Sequence, residues 1–204
     1  MHAFKERRGS YVAKVGRGER EVLAALVADV AQLLGGVRLD ELDAADVTAL
    51  VEAGEGAPRL RAAPVEAPDD PAVRRLLPDA SRDDPEVSAE FRRLTEDDLR
   101  ARKLARLALL WSALSDPEGG DVLSVPVDRG PELAATLTDV RLVVAERLGV
   151  ATDDDAERLY AEAELPGADA GRHYLVSVYA ALTWLQESLV TLMLARHRRG
   201  GAGD

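Results

Sequence analysis

The chain has 204 residues, 47% hydrophobic but only 4% aromatic, with no cysteine and with 37 acidic against 26 basic side chains for a formal net charge of −11. That length suits one domain able to bury a core, and the aliphatic composition favours packed helices over a β-sandwich. Without cysteine there are no disulfides, thiolate nucleophiles, zinc–thiolate centres or thiol redox sensors, and the net charge opposes unaided binding to phosphate backbones.

The charge is unevenly placed. Residues 1–20 hold six basic and two acidic side chains, residues 91–110 six and three, and residues 196–204 three and one. Solvated helix faces and termini account for such clusters without a ligand; the alternative is an interaction patch built from Arg7 and Arg8, or from Arg92, Arg93, Arg100 and Lys103. The opening MHAFKERRGSYVAKV lacks the apolar run of a signal peptide, which points to a soluble, cytoplasmic protein.

In chain order, Phe4, Tyr11, Val12 and Val15 around a Gly9-Ser10 turn signal predict a β-hairpin over residues 3–15. Val22, Leu23, Leu26, Val27, Val30, Leu33 and Leu34 share one helical face, so a helix is expected over 18–34, ended by Gly35-Gly36. From 36 to 70, Gly54, Gly56, Pro58, Pro64, Pro68 and many carboxylates weaken the pattern, and the stretch reads as a linker or loose loop with a helical turn or two at 46–53. Residues 71–77 are expected to be helical. Asp84 then caps a helix with Pro85 at its first position, and Thr95-Glu96-Asp97-Asp98 is a fresh cap signal for a helix reaching Leu114. Glu96 with Arg100 and Asp98 with Arg102 are acid-before-base pairs at i,i+4, contributing about 0.3 to 0.5 kcal/mol each.

Residues 121–127 read as an extended segment able to join the hairpin in a small sheet. Leu133, Leu137, Val140, Val144 and Leu148 predict a helix over 131–148 closed by Gly149, and Thr152 caps a short helix that Leu165-Pro166-Gly167 breaks. In the last helix, over about 170–198, Leu175, Val178, Leu182, Leu185, Leu189 and Leu192 recur at heptad spacing. Its length would also span a bilayer, but Gln186-Glu187 near the middle argues against insertion. The expectation is a central helix buried against those at 18–34 and 131–148, or shared with a second copy as a homodimer. Leu185→Asp should then be disruptive, and the same change at Ala57 should do little.

Known chemistry is hard to assemble. His2, His173 and His197 show no metal-ligand spacing, and no nucleophile, base and orienter set can be built around them. Gly16-Arg17-Gly18 lacks the third glycine of a dinucleotide fingerprint and the Lys-Ser/Thr of a P-loop, and Asp153-Asp154-Asp155 is explained by a helix start. The expectation is no enzyme, no catalytic or metal residues and no cofactor. Glu187 on its apolar helix suggests a buried ion pair, with Arg141 as candidate partner. Met193, the one internal sulfur, is placed beside the apolar seam, away from oxidant.

The run LLPDASRDDPEVSAEFRRLTEDDLRARKLARL at 76–107, the opening FKERRGSYVAKV and the late WLQESLV at 184–190 resemble the actinobacterial family that includes the oxidative-stress regulator AosR. The resemblance covers most of the chain apart from about 36–68. It implies a non-enzymatic cytoplasmic regulator of redox-linked transcription, acting through RNA polymerase or a sigma factor. Members are often encoded near an adaptor of the Clp protease, which implies the alternative of a protein-binding adaptor with no DNA role. The cysteine-based sensing described for the regulator does not transfer to this chain. The fold expected is mainly α, a single helical bundle around a long C-terminal helix, with a short N-terminal β-hairpin.

Overall fold

The alternation around Tyr11 produces a hairpin in the computed structural model, which describes residues 1–56, 65–81, 83–163 and 169–200. β1 (Lys5–Arg7) and β2 (Ser10–Lys14) pair antiparallel through Glu6↔Tyr11, and β2 pairs antiparallel with β3 (Val122–Pro126) through Tyr11↔Val125 and Ala13↔Leu123. The three-stranded order is β1-β2-β3, so the extended segment at 121–127 does join the hairpin. Tyr11, Ala13 and Val15 are buried on one face while Lys14 is exposed, as a period of two requires. The turn residues Arg8 (φ 49°) and Gly9 (φ 79°) are both left-handed, the backbone of a two-residue hairpin turn whose twist matches the strands.

The chain forms two compact units. One combines Met1–Glu21 with Asp116–Asp204, the other is Val22–Ser115, and the division falls inside the first helix, α1 (Arg17–Gly35).

In the first unit, Arg20 is 5% exposed and its guanidinium donates to the carbonyls of Gly120 (2.9 Å), Val122 (3.1 Å) and Asp116 (3.1 Å). It thereby fixes the turn leading into β3. α5 (Gly130–Leu148) buries Leu133, Leu137, Val140, Val144 and Leu148, the face its periodicity predicts, and ends on left-handed Gly149. α6 (Asp153–Ala163) starts at the Thr152–Asp155 cap, where Asp155 accepts from the Thr152 amide and the Thr152 hydroxyl accepts from the Asp155 amide. α7 (Ala170–Gly200) packs along α5, with Leu182, Leu185 and Leu189 buried and Gln186 Nε2 donating to Thr138 Oγ1 at 2.6 Å. At the start of α5 a Cβ on Gly130 would lie 2.5 Å from the Tyr11 ring, so only glycine lets that ring tuck beneath the helix.

The second unit departs from expectation in two helices. α2 (Ala44–Glu55) is a full twelve-residue helix with an Asp43–Asp46 capping box, where the weakened pattern suggested a turn or two. Val47, Leu50, Val51 and Gly54 are its half-buried face, and a Cβ on Gly54 would meet Ala105 Cβ at 2.6 Å, so the helices approach closely through small residues. The partner is α4 (Pro85–Ser115), one continuous helix of 31 residues. Asp84 caps it as expected, accepting from the Glu86 and Val87 amides at 3.0 Å. Thr95 starts nothing: its hydroxyl turns back to the Phe91 carbonyl at 2.8 Å and the helix runs through. α3 (Pro71–Leu76) begins at an Asp70 cap. Ala57 and Leu165-Pro166-Gly167 lie outside the described residues.

Candidate interaction surface

The cationic residues singled out on α4 are used within the second unit. Arg92 is 7% exposed; its guanidinium pairs with Asp79 and donates to the Val65 carbonyl. Arg93 is held by Glu90 at 2.6 Å, and Arg100 pairs with buried Glu96 at 2.8 Å while also reaching the Leu34 carbonyl. Lys103 is 9% exposed. Arg92 and Arg100 therefore anchor their surroundings, Arg93 pairs along its own helix and Lys103 is buried, so the four do not form one exposed phosphate-binding stripe. The Glu96–Arg100 ladder forms as its spacing predicts, whereas Arg102 Nε donates to the Asp98 carbonyl oxygen at 3.2 Å.

The Glu187–Arg141 pair needs correction too. Glu187 is exposed and Arg141 half-buried, and no ion pair joins them; both instead act electrostatically on the Tyr160 hydroxyl, which burial pushes up in pKa. The carboxylate escapes the cost of burial by facing water, because α7 is apolar on more sides than α5 and α6 cover. Only 17% of its most apolar stretch is buried, although Ala170–Arg199 is long and apolar enough to cross a membrane by length and composition. Tyr174, Trp184 and Leu194 are 52%, 42% and 51% exposed. Leu182, Leu185 and Leu189 thus fill one buried seam, while Leu175, Val178 and Leu192 are only half-buried and Trp184 and Leu194 lie exposed away from it.

Arg7 and Arg8, by contrast, are exposed, and Arg8 lines a hollow in the first unit. The hollow has a volume of about 1130 Å³ and an apolar floor of Tyr11, Val127, Pro131, Val190, Met193 and Leu194. Its lining also includes Arg8, Arg196, His197 and Arg199, with Glu6 the acidic residue among them. Arg196 and Arg199 reach Glu6 at 2.5 and 3.8 Å. The side chains of Arg8 and His197 make no hydrogen bond or ion pair among the described residues. Met193, expected away from oxidant, is half-buried on the wall of this open hollow.

Sequence reasoning passed over Arg196, His197 and Arg199 as a cationic tail. A readable signal was there: Val190, Met193, Leu194 and His197 are spaced i, i+3, i+4, i+7, a second stripe beside the leucine seam. Among the described residues no group of three or more His, Asp or Glu is placed to hold a metal ion.

The arrangement is that of a helical, surface-presenting protein: a buried scaffold carrying one incompletely covered apolar helix and a cationic hollow. Over residues 1–193 the chain matches the family described as Domain of unknown function (DUF2017), and it belongs to that family. No curated protein and no solved structure matches it.

Proposed function

We propose that this chain is a non-enzymatic cytoplasmic regulator of transcription linked to oxidative stress, working through a protein partner such as RNA polymerase or a sigma factor. The observation that carries the reading is the outward face of α7, where Trp184 and Leu194 lie exposed on a helix that a water-facing surface would normally make polar. A net charge of −11 and the internal use of Arg92, Arg93, Arg100 and Lys103 favour protein over DNA as the main contact. Insertion of α7 into a bilayer is disfavoured because α5, packed along it, carries Asp139, Arg141, Glu146 and Arg147.

The link to stress rests on the resemblance to the AosR-like family. A cysteine-free chain would receive the signal through its partner. The use of the α4 arginines within the fold also favours the adaptor reading, in which the same face engages Clp-linked machinery and DNA has no role.

The test is binding of the purified chain to RNA polymerase core and holoenzyme, to a Clp adaptor and to random duplex DNA, each across a salt series. The regulator reading expects salt-tolerant polymerase binding lost in Trp184→Asp and only weak, salt-sensitive DNA binding. Submicromolar DNA binding by the chain alone at physiological salt, or binding to the Clp adaptor with none to polymerase, would overturn it.

A further inference from the structure

We infer that the hollow between the hairpin and the end of α7 is a docking site for a short acidic, apolar peptide segment of a partner protein. This rests on the reading of the chain as a protein-binding regulator and names the chemistry of what it binds.

On a chain of net charge −11, the hollow gathers Arg8, Arg196, Arg199 and His197 around one carboxylate, Glu6. Glu6 is shared by Arg196 and Arg199, so Arg8 is left as a cation without a partner among the described residues. An acidic segment complements these cations, and the acidic surface elsewhere would steer such a segment away from other faces.

The floor selects among anions. Val190, Met193 and Leu194 with Tyr11 make an apolar base suited to leucine, methionine or aromatic side chains, and a methionine on that base adapts to irregular shapes. Duplex DNA would meet the arginines but leave this floor unfilled. The volume of about 1130 Å³ exceeds the roughly 300 to 1,000 Å³ of small-molecule pockets, and the hollow is open to solvent, which suits a peptide better than a metabolite.

The backbone supplies an independent observation. Arg8 holds φ 49° at a turn position where glycine or asparagine is at ease, so the hairpin accepts strain at the residue that carries the unpaired cation.

That strain makes a discriminating test. Arg8→Gly relieves the backbone while removing the charge, so the hairpin should be as stable as before or more so. The probe is a fluorescein-labelled synthetic peptide alternating aspartate and glutamate with leucine and phenylalanine, read by anisotropy. Its counterparts carry lysine for every acid, or serine for every leucine and phenylalanine. We expect the acidic, apolar peptide to bind in preference to both, and Arg8→Gly and Leu194→Ser each to weaken it about fivefold or more. Arg198→Ala, an exposed arginine outside the lining, should leave binding unchanged.

Equal binding of all three peptides, unchanged binding in Arg8→Gly, or displacement of the probe by duplex DNA as readily as by unlabelled peptide would overturn the proposal. Polymerase binding that survives Arg8→Gly, with no peptide preference, leaves the regulator reading standing and removes this one. Peptide binding without polymerase binding does the reverse.

Discussion

Arg20 carries more of the first unit than its place in a basic N-terminal stretch suggests. Its buried guanidinium satisfies three main-chain carbonyls, those of Asp116 and Gly120 ahead of β3 and that of Val122 at its first position. Arg20→Met keeps much of the bulk but strips those oxygens of their donors, and should cost about 2 to 4 kcal/mol in urea denaturation. Arg20→Lys should recover little of that, because an ammonium cannot reproduce the fork. The sequence shows a cation in a basic segment, but nothing local shows that a turn about a hundred residues away supplies its acceptors.

Asp155 makes the start of α6 sensitive to pH. Amide donors from Ala151 and Thr152, the Thr152 hydroxyl and Arg158 lower its pKa from 3.8 to about 2. A depressed carboxyl pKa contributes stability that is fully present above about 3.8 and is lost as the pH falls through about 2. The side-chain carbonyl resonance should therefore titrate near the lower value, with the Ala151 and Thr152 amides losing exchange protection in the same window. A midpoint near 3.8 would mean the cap is open in solution.

Among elements, α5 and α7 were legible because large aliphatic residues repeat at helical spacing and glycine or aspartate marks their ends. α2 was not, since its packing face relies on Gly54 against Ala105, a contact made by having little side chain rather than much. The Thr95 signal misled because a cap-like residue inside a longer helix can return its hydroxyl to the preceding turn. Of the candidate interaction residues, type was readable but use was not: a basic residue on a helix looks the same whether it faces water or, like buried Arg92, a main-chain carbonyl.

Burial on one seam of α7 makes two adjacent residues respond oppositely. Leu185 is fully buried and Trp184 42% exposed. Leu185→Asp should cost more than the about 2 to 5 kcal/mol of a buried leucine-to-alanine change, because a carboxylate is also forced from water. Trp184→Asp should move the thermal midpoint little while weakening partner binding. Equal melting of the two variants would show that the seam is misplaced.

For the whole molecule, the strands on either side of the second unit make an interrupted sheet. β2 precedes Val22–Ser115 and β3 follows it, yet they are hydrogen-bonded neighbours. In folding terms the sheet closes a loop containing an entire helical unit, whereas that unit is built mainly from contacts nearer in sequence. On a ribosome the hairpin emerges before the helical unit but waits for its third strand until those helices have been made. Pulse-labelled hydrogen exchange during refolding should find the amides of α2 and α4 protected before those joining β2 to β3. Destabilising the α2–α4 crossing, as with Gly54→Val, should then delay closure of a sheet to which that residue contributes no strand.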